Sequence, residues 1–339
     1  MMTLRIGING FGRIGRLAAR AIYETGRRNE IEIAAINDPG VNNVHLLKYD
    51  SVHGRAPMHV VRDSADEMHI ADDAIPRYRT RNPEEIPWGK HNVDVVFDCT
   101  GKFTDLEGAS RHFVSGAKKV LVSAPCKDDH KTVVFGVNHN ELKAEHTVVS
   151  NASCTTNCLV PVAYVLQQIV GIEHGFMTTI HAYTGDQVTV DASHKDPYRA
   201  RAAAINMIPT STGAAKAIGR VIPELDGKLD GVAIRVPTPN VSMVDFKFVT
   251  KKKISAEEIN AGMKKYAEGS LKGILGVYDE PLVSSDFNHD PHSAIFNLNG
   301  TKVIDGTFGR VMAWYDNEWG FSCRMLDTAL HMHKVGYKS

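Results

Sequence analysis

The feature that most constrains this chain lies in its first fifteen residues. Leu4–Asn9 is a short apolar run that ends in Gly10-Phe11-Gly12-Arg13-Ile14-Gly15. An amphipathic stretch follows to about Thr25, with Ile14, Leu17, Ala18, Ala21 and Ile22 at helical spacing, and Gly26 closes it. Ile31–Ile36 is a second strand, rich in Ile and Ala. Strand, Gly-rich turn, helix and strand in such quick succession make a βαβ unit, which commits the chain to a parallel sheet. Gly10 permits the tight turn, Gly12 lets backbone approach a pyrophosphate, and Gly15 allows close helix–strand packing. The helix N-terminus then presents N–H groups to the phosphates. Asp38 ends the second strand 23 residues after Gly15, near the offset expected of a carboxylate that holds a ribose hydroxyl pair. The pattern predicts a dinucleotide site.

Further buried-strand candidates are Val93–Phe97, Val120–Val122, Val133–Phe135 and Thr147–Val149, which predicts a doubly wound first domain of about 150 residues. The second half changes texture. Phe176–His181, Val232–Arg235, Ser242–Thr250 and Val311–Trp314 read as longer alternating or mixed strands. Ser255 followed by Glu258 is a capping-box pattern opening a helix to about Ala267. This predicts an α+β second domain on a mostly antiparallel sheet, with a final helix from Gly320 to about His333. At 339 residues the chain has room for two domains.

Composition narrows the function. Lys plus Arg and Asp plus Glu both count 39, so net charge gives no reason to expect a nucleic-acid partner. No apolar run approaches the ~20 residues of a membrane span, and no secretory leader is recognisable. The five cysteines are scattered and odd in number, which predicts free thiols in a reducing cytoplasm. Cys154 and Cys158 are one helical turn apart, but no second Cys or His pair accompanies them, so no metal is expected.

Ser150 to Cys158 (SNASCTTNC) lies between an apolar strand and the apolar helix Leu159–Ile169, in which Pro161 conflicts with an unbroken helix. Cys154 therefore falls at or near a helix N-terminus, where the macrodipole favours thiolate. The hydroxyls of Ser153 and Thr155, with nearby N–H groups, suit an oxyanion or phosphate. His181 ends the strand Phe176–His181, where a side chain can reach a cleft and act as the base a thiol catalyst needs.

GINGFGRIGR, SNASCTTNC, IHAYT, RARAAA, IPTSTGAAKA, RVPTPNVS and YDNEWG occur in this order, and together they resemble the phosphorylating glyceraldehyde-3-phosphate dehydrogenase family over essentially the whole chain. The resemblance implies a Rossmann domain over 1–153, a catalytic domain over 154–316 and a C-terminal helix, 317–339, returning to the first domain. It also implies a cytoplasmic homotetramer acting on small molecules, with a place in glycolysis and gluconeogenesis. By position, Arg13 and Ile14 match the cofactor-phosphate contacts and Asp38 the adenosine-ribose ligand. Arg81 and Ser123 match further cofactor contacts, and Asn317 the residue that orients the nicotinamide amide. Cys154 matches the nucleophile and His181 the base. Thr184 and Arg235 match the site of the substrate's own phosphate. Ser153, Thr155, Arg201, Thr212 and Gly213 match the surroundings of the attacking inorganic phosphate.

YETGRR, LLKYDSVHGR, DFNHDPHSA and DNEWGFSCRMLDTAL are instead similar to erythrose-4-phosphate dehydrogenase, a relative that oxidises a sugar phosphate one carbon longer. That relative usually lacks the Ala182-Tyr183-Thr184 and Thr212-Gly213 patterns, and both are intact here. The triose phosphate is therefore the expected substrate and the tetrose the alternative. A catalytically idle dinucleotide-binding protein is a third reading, against which Cys154, His181, Thr184, Arg201 and Arg235 are all present. Asp38 predicts NAD, because a carboxylate repels a 2′-phosphate. Ala192-Ser193 resembles the NADP-using photosynthetic branch, so weak NADP use is expected beside it.

Overall fold

The computed structural model describes residues 3–63 and 66–337, and the chain divides into two compact units. One comprises the residues up to Val133, Asn138–Ala152 and those from Ser322 onward; the other comprises Val134–Val137 and Ser153–Phe321.

The first unit is built on β1 (Leu4–Asn9), β2 (Ile31–Asn37), β3 (Val60–Asp63), β4 (Glu67–Ile70), β5 (Asp73–Tyr78), β6 (Val95–Asp98), β7 (Lys119–Val122), β8 (Lys131–Thr132) and β9 (Val148–Ser150). Their order across the sheet is β8-β9-β7-β6-β1-β2-β5-β4-β3. Pairing is parallel from β8 through β5, and β3, β4 and β5 form an antiparallel extension that periodicity did not announce. From β1 the chain adds β2 on one side and later β6 on the other. That reversal opens a crevice at the carboxyl ends of β1 and β6, the place where open α/β sheets bind ligands.

Helix α1 (Arg13–Glu24) buries Leu17, Ala18, Ala21 and Ile22, the apolar face read from its spacing. Helix α2 (Leu106–Val114) starts at Asp105, whose carboxylate accepts from Gly108 N at 2.8 Å. Val133–Phe135 is not a strand. The ladder is Lys131–Thr132, closed by Val133 N donating to Ser150 O at 2.8 Å, and the chain then turns at Val134–Val137. Val133 and Val134 are buried all the same, so their apolar character reports burial rather than β-pairing.

The second unit carries helix α3 (Cys154–Ile169), then β10 (Ile172–Ala182), β11 (Ile208–Ser211), β12 (Leu229–Val236) and β13 (Ser242–Thr250). Helix α4 (Ala256–Glu268) follows, then β14 (Leu275–Tyr278), β15 (Ala294–Asn297), β16 (Lys302–Ile304) and β17 (Phe308–Tyr315). The sheet runs β11-β12-β10-β13-β17-β15-β14, with β16 on β17. Only β10·β12 and β14·β15 are parallel; the other five pairings are antiparallel. β13 alternates strictly between buried and half-buried residues, as its sequence predicts. The capping box at Ser255 forms in full. α3 continues through Pro161, whose cost to a helix interior is offset by the burial of Leu159, Val160, Val162, Val165 and Leu166. The last helix, α5 (Trp319–Lys334), is anchored within the first unit. There Thr328 Oγ1 donates to Asn151 Oδ1 (2.9 Å), Lys119 Nζ donates to Met332 O (3.2 Å), and Asp327 pairs with Arg27 (2.6 Å).

Candidate active site

The crevice in the first unit is an open cleft of about 640 Å³ lined by Asn9, Gly10, Gly12, Asn37, Asp38, Pro39, Thr80, Arg81, Cys99, Thr100, Lys102 and Phe103. The three glycines meet three different steric demands. Gly10 has φ +90°, and a Cβ there would lie 2.9 Å from the backbone of Cys99 and Thr100. A Cβ on Gly15 would lie 2.1 Å from Gly10 O, so the helix seats directly on the turn. A Cβ on Gly12 would meet nothing within 4 Å, which leaves that face of the turn clear for a ligand's diphosphate. No side chain caps α1 and no acidic residue occupies its first turn, so its positive end is open to an anion. Arg13 and Ile14 open that helix, with the Arg13 guanidinium turned onto Asp50 at 2.6 Å.

Asp38 is held at the rim. Its carboxylate accepts from Phe11 N (2.6 Å) and Gly40 N (2.6 Å), with Asn43 Nδ2 at 3.3 Å. Two oxygens offer about four acceptor positions, so capacity remains for a ribose hydroxyl. Beneath it runs a buried chain: Asn37 Nδ2 donates to Asn9 Oδ1 (2.8 Å), Asn9 Nδ2 to Asp98 Oδ2 (2.9 Å), and Trp88 Nε1 to His112 Nδ1 (3.0 Å), whose Nε2 lies 3.1 Å from Asp98. This network ties the ends of β1, β2 and β6 together. Sequence reading missed Asn9, Asn37, Thr80 and Thr100; their signal was their place at or just beyond strand ends. Ser123 follows β7 and is tied to β6 through its N–H on Asp98 O (3.0 Å). The Arg81 side chain is exposed at the cleft.

In the second unit the nucleophile candidate opens α3. Ser153 is its N-cap, accepting from Thr156 N at 3.1 Å. Immediately before it, Ala152 adopts φ +58°, a left-handed conformation uncommon outside glycine. Cys154 Sγ lies 3.6 Å from His181 Nε2. The other ring nitrogen of this buried histidine, Nδ1, is 2.7 Å from Ala182 O. A carbonyl only accepts, so Nδ1 carries the proton and Nε2 presents its lone pair to the thiol.

Burial pushes the Cys154 thiol up, against the pull of Arg235, of hydrogen bonds from Thr155 and of its own N–H. The helix-end effect read from sequence is thus present but outweighed by desolvation. Burial, then the Arg235 charge, holds His181 down to about 3. Each group alone favours its neutral form; together they share one proton, since thiolate and imidazolium would be each other's countercharge.

Arg235, on β12, donates through Nη1 to Ala182 O (3.0 Å) and Thr184 Oγ1 (3.3 Å). Its Nε is buried with no hydrogen-bond partner among the described residues. An unpaired buried guanidinium N–H beside a threonine hydroxyl is an anion-binding arrangement. Thr212 and Gly213 follow β11, where the Thr212 hydroxyl accepts from Ala214 N (3.2 Å) and Gly213 faces open space. Asn317 is buried, and its Oδ1 accepts from Ser242 Oγ (2.8 Å), leaving two Nδ2–H donors to bind.

Two of the expected phosphate contacts are engaged by other partners in this structure. Arg201 is 63% exposed and paired with the equally exposed Asp191 at 2.8 Å. The neighbouring Arg199 is the inward one: 20% exposed, donating to Thr210 Oγ1 (3.2 Å) and paired with Asp186 (2.6 Å), its charge acting on both His181 and Arg235. The two residues lie in a turn, closed by Ala200 N on Asp196 O (3.2 Å) and Arg201 N on Tyr198 O (3.3 Å), so residues two apart face different ways, and the Asp191 carboxylate receives Arg201 on the exposed side. The Thr155 hydroxyl, expected near an anion, is buried 2.9 Å from Tyr315 OH.

Comparison with known proteins agrees with this geometry. Residues 4–106 match the model of the glyceraldehyde 3-phosphate dehydrogenase NAD binding domain, and residues 153–317 match that of the C-terminal domain of the same family. NAD is accordingly the cofactor, and the open Gly12 turn with the Asp38 rim fits it. The glyceraldehyde-3-phosphate dehydrogenase of Xanthobacter flavus is 59% identical over 337 residues, covering 99% of this chain and all of that protein. The enzyme of the same name from Cereibacter sphaeroides is 58% identical over 98% of this chain and all of its own length. That from Pseudomonas aeruginosa is 55% identical over 97% of this chain and 98% of its own. With both halves matched by family models and relatives aligned from end to end, the chain belongs to the glyceraldehyde-3-phosphate dehydrogenase family.

Proposed function

We propose that the chain oxidises D-glyceraldehyde-3-phosphate with NAD and inorganic phosphate to 1,3-bisphosphoglycerate. The observation that carries this is the Cys154 Sγ to His181 Nε2 contact of 3.6 Å beside the unpaired Nε of Arg235. A nucleophile, a base and an anion anchor meet in one place. We assign residues 1–153, with the helix 317–339, to the cofactor, and 154–316 to the chemistry.

Arg235 and Thr184 hold the substrate's own phosphate. The Cys154 sulfur then adds to the aldehyde carbon, and His181 Nε2 passes the thiol proton to the carbonyl oxygen. This gives a thiohemiacetal and returns the imidazole to its neutral form. Nε2 next takes the hydroxyl proton as the hydride departs. The bound nicotinamide supplies the hydride acceptor. Asn317, with Oδ1 fixed by Ser242, is suited to donate to the nicotinamide amide. The thioester left on Cys154 retains the oxidation energy. Inorganic phosphate, held near Ser153, Thr212, Gly213 and Arg199, attacks the acyl carbon. The C–S bond breaks, and the sulfur leaves as thiolate and recovers the imidazolium proton. Two cationic pockets suit two anions that must approach without pairing.

In the cofactor cleft, Gly10, Gly12 and Gly15 shape the turn, Arg13 and Ile14 face the diphosphate through their N–H groups, and Asp38 takes the ribose. Arg81 and Ser123 complete the cofactor contacts. A homotetramer is supported by side chains too apolar to leave in water: Val190 (71% exposed), Ile205 (79%) and Met207 (77%), with Tyr198 and Val232 nearby in sequence or on β12. A cytoplasmic setting is supported by the five cysteines, which form no disulfide among the described residues.

The test is initial rates of NADH formation with phosphate present, comparing glyceraldehyde-3-phosphate with erythrose-4-phosphate. A kcat/KM at least tenfold higher for the triose, about 1.4 kcal/mol of transition-state preference, is expected. A reversed ratio would move the assignment to the tetrose, and no turnover with either would remove it. Light scattering of the eluting protein tests the tetramer.

A further inference from the structure

The loop between β7 and β8 carries a cluster that the reaction does not use. Cys126, Asp128 and His130 stand at alternate positions along it. The loop folds so that one donor atom from each, a sulfur, a carboxylate oxygen and a ring nitrogen, lies within 4.8 Å of the other two. Among the described residues no other three His, Cys, Asp or Glu side chains come together in this way.

His130 is the informative member. Its side chain is 3% exposed, and its Nδ1 meets Asp128 Oδ1. Its Nε2 is buried with no hydrogen-bond partner among the described residues. The carboxylate serves Nδ1, so Nε2 stays unsatisfied by protein whichever nitrogen carries the proton. A histidine with one nitrogen on a carboxylate and the other unclaimed has the form of a metal-binding ring, in which the carboxylate fixes the tautomer and the orientation.

The other two donors are held by neighbouring elements. Cys126 Sγ lies 3.1 Å from Thr132 Oγ1 on β8 and 3.6 Å from His130 O. A thiolate only accepts, so the Thr132 hydroxyl donates to it once the thiol is deprotonated. Asp128 Oδ2 accepts from Leu106 N (2.6 Å), the first residue of α2, which anchors the carboxylate from outside the loop. Asp128 is 40% exposed, so an ion can enter from solvent. The intervening Lys127 directs its ammonium to Asp105, 3.8 Å away.

We propose that Cys126, Asp128 and His130 form a zinc-binding site, built from none of the residues assigned to the reaction. Thiolate, imidazole and carboxylate are donors that zinc accepts, and the sulfur disfavours magnesium and calcium. Two anionic donors and one neutral one balance a divalent cation, and the Cys126 thiol releases its proton on binding. Three protein ligands leave the fourth tetrahedral position to water. The ion clasps the loop that follows Ser123 and, through Asp128, ties it to α2.

The test uses the full chain, free of any histidine tag, as Cys154→Ser, which removes the Cys154–His181 pair as a competing zinc site. Zinc is titrated against a chromophoric chelator. Cobalt(II) is added to a separate sample, where thiolate-to-metal charge-transfer absorption reports sulfur ligation. One zinc per chain and a charge-transfer band are expected. Adding Cys126→Ala should abolish the band and weaken zinc by at least about a hundredfold, beyond the roughly ten- to 100-fold typical of losing a group that only orients a ligand. His130→Ala should weaken zinc as much, and Thr132→Val, which leaves all three donors in place, by about tenfold. Fewer than one zinc per chain, or no band in the parent, would overturn the proposal. So would a band that persists in Cys126→Ala, or zinc affinity there within about threefold of the parent, the latter below even the loss of an orienting group. Cys126→Ala decides alone should the buried His130 variant not fold.

Discussion

Arg199 and Arg201 are two residues apart, and the structure gives them opposite surroundings. Replacing either by methionine removes the charge and keeps an apolar stem. Arg199 is 20% exposed between Asp186 and Thr210. A charge-assisted hydrogen bond from such a group to phosphate contributes about 1.5–3 kcal/mol, or roughly ten- to 150-fold in rate. Arg201, at 63% exposure on an Asp191 that is 60% exposed, forms a pair of a kind that contributes about 0–1 kcal/mol. We therefore expect R199M to lower kcat/KM for inorganic phosphate roughly ten- to 150-fold, and R201M to change it less than about fivefold. The assay is NADH formation with phosphate varied at saturating aldehyde and NAD. A second readout separates charge from shape. After burial and Arg235, Arg199 is a further cause of the depressed His181 protonation. Its removal should move the acid limb of kcat to higher pH, and removal of Arg201 should not. A large loss in R201M with a near-normal R199M would refute the assignment, because exposure and pairing would then have pointed to the wrong guanidinium.

Three further outcomes are expected. Cys154→Ser should lower turnover by more than about 10³-fold with little change in melting temperature, since serine fits the same space but is far less ionised; activity assays beside calorimetry check both. Asp38→Asn removes the charge and keeps an acceptor for only one of the Phe11 and Gly40 N–H groups, which bond to different carboxylate oxygens, so the NADP-to-NAD ratio of kcat/KM should rise about tenfold or more. An unchanged ratio would mean that the carboxylate does not face the ribose. Lys119 is fully enclosed, and burial lowers its protonation from 10.5 to about 8. Between those values the unfolded chain keeps a proton that the folded chain has released, so stability rises with pH through that window and the gain is absent below it. The native protein should therefore gain about 2 kcal/mol from pH 7.5 to 9.5 relative to Lys119→Met, read from urea unfolding at both values. A difference that stays flat would place the ammonium in contact with water.

What was legible in the sequence was whatever a local backbone demands of its own residues. Gly10 carries a φ of +90° and Gly15 seats against Gly10 O, both local demands, so the turn and the helix followed from their spacing, whereas the close approach of Cys99 and Thr100 to Gly10 comes from far along the chain. The alternation of Ser242–Thr250 and the Ser255 capping box are local in the same sense. The catalytic pair was suggested by strand and helix ends, and Cys154 and His181 do meet, although they are 27 positions apart and nothing between them states a distance. The failures share a different cause. Val133–Phe135 carries strand-like residues, yet the ladder stops because its partner strand β9 ends at Ser150. Thr155 sits in the expected motif, but its hydroxyl is claimed by Tyr315, 160 residues away. Arg199 faces inward because Thr210 and Asp186 receive it, and Arg201 outward because Asp191 does. A motif therefore identifies the residues available to a reaction, while partners outside it, from loop carboxylates a dozen residues off to a tyrosine on a distant strand, decide which guanidinium turns inward and where a threonine hydroxyl is engaged.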